Sequence, residues 1–338
     1  MLTRCISIGT TVWNTNSLLA AFFALVSSLP AAERIEALEP HMGTMFRIVL
    51  YADDANRART AIRAAFDRIA NLDNTLSDYL PDSELNRVCV TAVNRDVTIS
   101  EDLYAVVKAS QALAERTGGA FDITLGPVIR LWRKARQTGQ LPSAGEIGVA
   151  LGRTGYRKVH LTDDPRTIRL DMPGMQLDLG AIVKGYAADE GLRTLREFGF
   201  SQALVAASGD IAFGDAPPGK AGWEAGVESI NASNEAFTEV LQLQNAAIST
   251  SGDTEQYALI DGVRYSHIVN PKTGKGLTHR IGVTAIAAKG IDSDALATAA
   301  SVITEQQGPE AGLAMIKGII IVEADGKWEK YESPGIRR

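Results

Sequence analysis

The chain has too few cysteines for a disulfide framework. Only Cys5 and Cys89 occur among its 338 residues, and Cys5 lies upstream of the first apolar stretch. If an N-terminal leader is removed, Cys89 is the only thiol left, so no intrachain disulfide can form in any compartment. No cysteine stands at a lipoprotein cleavage position.

The chain also has few histidines and no excess of positive charge. The four histidines, His41, His160, His267 and His279, show no metal-ligand spacing, which argues against a zinc site. The net charge of −6 and the lack of any basic run argue against a nucleic-acid partner. With 45% hydrophobic residues, the chain can bury one large core or two lobes.

The N-terminus is the one break in composition. Arg4 precedes an apolar stretch, Leu18 to Val26, and small residues lead to Pro30-Ala-Ala32. This stretch is too short for a transmembrane helix and is typical of a secretory signal. We therefore expect residues 1–32 to be a signal peptide and residues 33–338 to be an exported, periplasmic domain. An uncleaved signal that anchors the protein at the inner membrane is the alternative.

The segment Gln176 to Glu190 carries the strongest local signal. It predicts a short strand bearing Asp178, a turn at Gly180 and a helix with Lys184 in its first turn. A cation at this helix end opposes the helix dipole, which makes sense if an anion such as a phosphate lies between them. A solvated loop lysine is the other interpretation. The segment is not a Walker A loop, because no second glycine precedes Lys184 and Gly185 follows where Ser or Thr should stand.

A second segment, Ile291 to Ile303, predicts a helix capped by Asp292 or Ser293. Asp294 in its first turn and Thr298 four residues later share one face. One carboxylate and one hydroxyl suit Mg²⁺, which keeps positions open for water and phosphate oxygens. An ordinary amphipathic helix with an acidic first turn is the competing interpretation.

The remaining pattern predicts an α+β fold. Helices are expected over Asn56 to Leu72 and after Ser100, and a strand over Met45 to Tyr51. Two Asp-Gly turns, at Asp261-Gly262 and Asp325-Gly326, predict antiparallel hairpins in the C-terminal half. Helices in one half and hairpins in the other favour α+β over a doubly wound sheet.

Seven short motifs occur in an order that resembles one family. They are His41-Met-Gly-Thr44, Ser77-Asp-Tyr79 with Ser83-Glu-Leu, Gly118-Gly-Ala-Phe-Asp122, Asp178-Leu-Gly-Ala-Ile-Val-Lys-Gly185, Thr250-Ser-Gly-Asp253, His267-Ile-Val-Asn-Pro-Lys-Thr-Gly274 and Asp294-Ala-Leu-Ala-Thr298. From about His41 to the last strand, the chain resembles the ApbE family, the FAD:protein FMN transferases. The resemblance implies a T-fold-like α+β arrangement of mixed and antiparallel sheets with packed helices, in a single two-lobed domain.

The resemblance also implies roles for individual residues. It places Mg²⁺ on the side chains of Asp294 and Thr298 and on the backbone oxygens of Ala181 and Ala297. It assigns Lys184 to the pyrophosphate and His267 to the proton of an attacking hydroxyl, as the two catalytic residues. The residues expected to contact FAD are Met42, Tyr79, Ala120, Phe121, Asp122, Asp178, Lys184, His267 and Ile268.

The implied reaction is magnesium-dependent transfer of the FMN moiety of FAD to a threonine or serine hydroxyl, with release of AMP. The acceptor would be an exported protein of an electron-transfer system. An FAD pyrophosphatase that yields FMN and AMP, and a non-catalytic FAD-binding carrier, are the alternatives. Three positions depart from the family pattern, namely Cys89, Ser208 and Asn270, and they put substrate preference and rate in doubt more than the reaction class.

Overall fold

A computed structural model describes residues 32–230, 236–252, 257–324 and 327–336. The helices in these ranges are Ala55–Leu76 (α1), Glu84–Thr91 (α2), Glu101–Arg116 (α3), Gly126–Thr138 (α4), Ala144–Gly152 (α5), Val183–Glu197 (α6), Gly290–Gln307 (α7) and Pro309–Leu313 (α8). None of the described helices is both long and apolar enough to cross a membrane. The predicted leader lies outside the described residues, except for Ala32.

The strands are mostly long enough to pair over four residues or more. They are Glu33–His41 (β1), Thr44–Ala52 (β2), Val97–Thr98 (β3), Val159–Asp163 (β4), Arg166–Leu170 (β5), Ala203–Ala207 (β6), Asp210–Phe213 (β7), Trp223–Ile230 (β8), Ala236–Leu243 (β9), Ala246–Gly252 (β10), Tyr257–Ile260 (β11), Val263–Ser266 (β12), Ile281–Ala287 (β13), Lys317–Ala324 (β14) and Lys327–Glu332 (β15).

An eight-stranded antiparallel sheet forms the centre of the fold. Its strand order is β1-β2-β6-β7-β10-β13-β14-β15. Alternate residues of β2 point to opposite faces, as strand geometry requires. Phe46, Ile48 and Leu50 join the main core with α1, α3 and α6. Val49 joins a second cluster with Trp223 and Leu241 of the β8–β9 hairpin, so each face of the sheet buries its own apolar cluster.

Local sequence signals set the ends of the two long N-terminal helices. Asp54 caps α1 by accepting hydrogen bonds from the backbone of Asn56 and Arg57. Ser100 caps α3 through the backbone N–H of Leu103, as the sequence predicts. The inward face of α1 repeats every three to four residues and includes Ala58, Ile62, Ala65, Phe66, Ile69 and Leu72.

The α+β prediction is confirmed, and so are both hairpins. β11 pairs with β12 and β14 pairs with β15, in each case antiparallel. Asp261 and Gly262 both have positive φ, 51° and 76°, as a tight two-residue hairpin turn requires. Residues Ala32–Arg338 form one compact unit.

Three local predictions are wrong. The Asp178 segment is not a strand, because only Gln176 makes an isolated bridge, to Leu125. Helix α7 begins at Gly290 rather than after Asp292 or Ser293. His267 lies one residue beyond the end of β12 at Ser266 instead of within the strand, because Ser266 and Ile268 bond to Leu277 in the following loop.

Candidate active site

Helices α6 and α7 meet at two glycines, and this contact builds the centre of the site. A Cβ atom on Gly185 would lie 2.0 Å from the carbonyl oxygen of Gly290, and one on Gly290 would lie 2.4 Å from that of Gly185. Because only glycine allows such an approach, the two backbones touch here. The crossing brings the first turn of α6, with Lys184, next to the first turns of α7, with Asp294.

Asp294 is held at this crossing by the backbone of α6. Its Oδ2 accepts a hydrogen bond from the Gly185 N–H at 3.0 Å, and the residue is only 3% exposed. Burial, followed by the nearby Asp210 carboxylate, raises the pKa of Asp294 to about 7. The protein alone therefore disfavours the charged form of this carboxyl.

Asp189 caps α7 from the neighbouring helix. Its carboxylate accepts hydrogen bonds from the backbone N–H of Gly290 at 2.7 Å and of Ile291 at 3.0 Å. This contact explains why the predicted local cap is wrong, since a side chain of α6 satisfies the exposed N–H groups of α7. Burial raises the pKa of Asp189 to about 6. The sequence offers no local signal that Asp189 caps α7.

Lys184 pairs with Asp210, a partner that sequence reasoning missed. The Lys184 ammonium donates to Asp210 Oδ2, and the Asp210 side chain is 4% exposed. Burial lowers the pKa of Lys184, but the Asp294 and Asp210 carboxylates outweigh it and raise the pKa overall. Asp210 opens β7 after a turn in which Ser208 has φ of 57°. Asp210 thus pairs with the Lys184 ammonium within the protein.

Hydroxyl groups extend the cluster along α7. The Thr298 hydroxyl lies 3.2 Å from Ser251 Oγ, and Ser293 Oγ lies 2.8 Å from Ser249 Oγ. The Ala297 carbonyl accepts a hydrogen bond from Ser301 Oγ at 2.9 Å, so one of its lone pairs is already used.

No group of three or more His, Cys, Asp or Glu side chains among the described residues is arranged to hold a metal. The predicted donor set is of another kind, one carboxylate, one hydroxyl and backbone oxygens. Two carboxylates, those of Asp210 and Asp294, lie near the single Lys184 ammonium, so the cluster carries an excess of negative charge when both are ionised. The residues present therefore fit a hard divalent cation such as Mg²⁺.

A second charged cluster surrounds Asp178. Its Oδ1 accepts from the Gly180 N–H at 2.9 Å and its Oδ2 from the Arg133 guanidinium at 2.6 Å. Arg133 also pairs with Asp78, and its guanidinium carbon lies 4.2 Å from the centroid of the Tyr79 ring. Burial and the Asp78 carboxylate outweigh Arg133 and raise the pKa of Asp178 to about 6.

A cavity of about 560 Å³ borders this cluster, with Tyr79, Asp78, Cys89 and Met175 among its lining residues. Tyr79 is 71% exposed. Cys89 is buried, and its Sγ accepts a hydrogen bond from the Leu177 N–H at 3.3 Å. Burial raises the pKa of the Cys89 thiol, so this departure from the family pattern places an un-ionised thiol at the cavity wall.

The Gly118 to Asp122 turn meets the loop after β12 at the side of α7. Ala120 and Ile268 belong to one apolar cluster with Val302 of α7. The Asp122 carboxylate bonds within the fold, to Thr124 and to the backbone N–H of Tyr156 at 3.0 Å. Phe121 is buried in the main core. The fold thus brings Ala120 and Ile268 together. The Asp122 carboxylate is already hydrogen-bonded to Thr124 and Tyr156.

Two further residues predicted to contact FAD, Met42 and His267, lie in loops. Met42 has φ of 50° in the β1–β2 turn, and its N–H donates to Asp73 at 2.8 Å. His267 is half-buried and precedes a loop that closes through Asn270, whose Oδ1 accepts from the Lys272 N–H at 2.9 Å. An aspartate at position 270 could accept the same hydrogen bond. The departure from the family pattern at Asn270 therefore leaves this loop contact intact.

Solved structures with the same architecture are named as ApbE proteins. The structure of the flavin transferase ApbE from Vibrio cholerae superposes with a TM-score of 0.80 at 28% identity, over 90% of this chain and 98% of that one. The ApbE protein of Thermotoga maritima gives 0.80 at 30% identity, over 90% and 100% of the two chains. Fold and site together define an α+β protein of the flavin transferase type.

Sequence comparison gives the family. A profile of the ApbE family matches residues 42–319. The FAD:protein FMN transferases of Vibrio cholerae and Treponema pallidum are 28% and 31% identical to the chain, covering 94% and 84% of it and 96% and 81% of their own lengths. The chain belongs to the ApbE family.

Proposed function

We propose that the protein is an FAD:protein FMN transferase that moves the FMN moiety of FAD to a threonine or serine hydroxyl. The observation that carries the proposal is the cluster beside the α6–α7 crossing, where the half-buried Lys184 pairs with Asp210 and lies near Asp294. An ammonium and a cation-accepting carboxyl at one point suit a substrate with a charged pyrophosphate. The names of the relatives support the same reaction.

We further propose that Asp294 and Thr298 hold Mg²⁺, with Ala181 and Ala297 as the backbone donors. A bound Mg²⁺ would neutralise charge on the pyrophosphate as its bond breaks. Burial of Asp294 and its hydrogen bond from Gly185 keep one carboxylate oxygen fixed at the crossing.

The chain's own residues would act on the substrate as follows. Lys184, kept protonated by the two carboxylates, donates to the pyrophosphate oxygens. His267 takes the proton from the acceptor hydroxyl as its oxygen bonds to the FMN phosphorus. The bond from that phosphorus to the AMP oxygen breaks, and AMP leaves with the electron pair. Tyr79 stacks on a ring of FAD, and Asp178 accepts from its ribose or adenine donors.

The acceptor and the compartment are part of the proposal. The N-terminal pattern from Arg4 to Ala32 supports export to the periplasm, with anchoring through an uncleaved signal as the alternative. An exported acceptor protein of an electron-transfer system fits that compartment. The mass of the protein recovered from the cell envelope would show whether residues 1–32 have been removed.

The reaction is tested with residues 33–338, FAD, Mg²⁺ and an acceptor with an exposed serine or threonine. We expect flavin fluorescence to stay on the acceptor after denaturation, because the product bond is covalent. Free FMN and AMP with an unlabelled acceptor would replace the transferase proposal with the hydrolase. Intact FAD would favour the carrier.

A further inference from the structure

Arg133 occupies the point where two predicted FAD contacts meet. It extends from α4, and one arm of its guanidinium donates to Asp178 Oδ2 at 2.6 Å while the other donates to Asp78. The same group stacks on the Tyr79 ring at 4.2 Å. A single side chain therefore contacts the carboxylate and the ring that are expected to receive FAD.

The charges around Arg133 show why it is needed. The side chains of Asp78 and Asp178 are only 10% and 6% exposed, and Arg133 is 20% exposed. Two buried carboxylates this close repel each other unless a cation lies between them. The planar guanidinium can bind both and still offer a face to an aromatic ring, which a lysine ammonium cannot do.

Helix α4 is itself fixed to both sides of the site. Leu125, which precedes its first residue, bridges to Gln176 at the start of the Asp178 segment. Trp132, adjacent to Arg133, donates its indole N–H to the Gly274 carbonyl at 2.7 Å, in the loop that follows His267. The backbone of Arg133 is thus held between the Asp178 segment and the His267 loop.

We propose that Arg133 is a positioning residue for FAD, which holds the Tyr79 ring and the Asp178 carboxylate in the arrangement that the substrate requires. The identity of the ligand rests on the proposed function. Arg133 acts through Tyr79 and Asp178, and no chemical step is assigned to it.

The test compares Arg133→Gln, Arg133→Lys and Lys134→Gln with the wild type. Lys134 is exposed and adjacent on α4, so its variant removes the same charge without touching the cluster. FAD affinity is measured by flavin fluorescence, KM and kcat by FMN transfer, and stability by thermal melting. We expect Arg133→Gln to raise the FAD dissociation constant and KM by roughly tenfold or more, since it removes hydrogen bonds to buried charges. We expect a smaller change in kcat and no change in Lys134→Gln.

A double variant separates positioning from a general loss of structure. If Arg133 acts through Tyr79, Arg133→Gln should weaken FAD binding much less in a Tyr79→Ala background. Equal losses in both backgrounds, or wild-type FAD affinity in Arg133→Gln, would overturn the proposal. Should Arg133→Gln fail to fold, Arg133→Lys keeps a positive charge beside the carboxylates and must still show the raised KM. Because FAD binding is measured directly, the result stands even if the wild type transfers no FMN.

Discussion

At the scale of single residues, the site is a set of charges whose meaning depends on their neighbours. Lys184 looks like an isolated helix-start cation in the sequence, yet it is half-buried, pairs with Asp210 and lies close to Asp294. Asp294 looks like an ordinary acidic residue of a first turn, yet its pKa is raised to about 7 by burial and by Asp210. The role of a residue at this scale is therefore tested by changing that residue alone and comparing the variant with a control change at an exposed residue of the same type.

The first prediction concerns the proposed metal carboxylate. Asp294→Asn should lower FMN transfer by roughly a hundredfold or more, because it removes the negative charge that would hold the cation. FAD binding should change little, since the proposed ring and ribose contacts lie at Tyr79 and Asp178. Single-turnover transfer and fluorescence titration measure the two effects.

Asp292→Asn is the matched control, because Asp292 lies in the same helix but is exposed. It should behave as the wild type. Transfer by Asp294→Asn close to the wild-type rate at limiting Mg²⁺ would refute the metal assignment. Chelation should mimic the mutation in the wild type.

The second prediction concerns His267. His267→Ala should slow transfer by roughly 10² to 10⁴, as loss of a general base does, with little effect on FAD binding. The wild-type rate should rise with pH through an imidazole-like titration, because only the neutral imidazole can accept a proton. In the variant that rise should disappear.

His279→Ala serves as its control, since the His279 side chain is 66% exposed and pairs with Glu305. The measurement is single-turnover transfer against pH for the three proteins. An unchanged rate and pH profile in His267→Ala would make the residue structural.

At the scale of elements, the decisive feature is the contact between α6 and α7. Paired glycines let the backbones touch, Asp294 of α7 accepts from α6, and Asp189 of α6 caps α7. The two helices thus complete each other's hydrogen bonds. A change at the crossing should affect folding and catalysis together.

The third prediction follows from that contact. Gly185→Ala would place a Cβ 2.0 Å from the Gly290 carbonyl oxygen, so the helices must separate. We expect the free energy of unfolding to fall by about 2 kcal/mol or more, as in overpacked cores, and transfer to be lost because Asp294 moves away from Lys184. Urea unfolding and the transfer assay measure the two effects.

Gly148→Ala in α5 is the control, because nothing lies within 4 Å of a Cβ at that position. It should stabilise the protein by roughly 0.5 to 1 kcal/mol through the better helix propensity of alanine. If Gly185→Ala were as stable as Gly148→Ala, the helix contact would not be as close as described.

At the scale of the whole molecule, a charged network joins three helices that share the main core. Arg68 of α1 donates to Asp102 of α3 and to Glu190 of α6, and the Tyr186 hydroxyl of α6 also donates to Asp102 at 2.7 Å. Burial acts to raise the pKa of Glu190, but hydrogen bonds from Arg193 and Arg68 outweigh it and lower the pKa. The network should therefore contribute to stability in a pH-dependent way.

The fourth prediction is that Glu190→Gln destabilises the protein by about 1 to 2 kcal/mol at pH 7. A lowered folded-state pKa means that the contribution is complete above the unfolded-state value, roughly 4.3, and is lost as the pH falls through the folded-state pKa. The difference between wild type and variant should thus shrink below about pH 4.

Glu197→Gln, in the same helix, is the control. Its side chain is 58% exposed and pairs only with Arg193 among the described residues, so we expect a loss below about 0.5 kcal/mol. Urea unfolding from pH 3 to 8 distinguishes the two variants. A pH-independent difference for Glu190→Gln would show that packing, and not its charge, matters.

Local sequence patterns were sufficient to predict much of the secondary structure of this protein. Apolar patterning and Asp-Gly turns predict the strands and hairpins, because those preferences act over a few neighbouring residues. The four-residue spacing of Asp294 and Thr298 places them on one helix face. The ordered motifs identify the family and, with it, the residues proposed to bind FAD.

Only the tertiary structure decided which charges meet. Lys184 and Asp210 are 26 residues apart, Arg133 and Asp178 are 45, and Gly185 and Asp294 are 109. No local preference specifies such pairs. They form because the buried faces of helices such as α6 and α7 must pack together and because buried charges require partners. Both conditions are met only when the whole chain is folded.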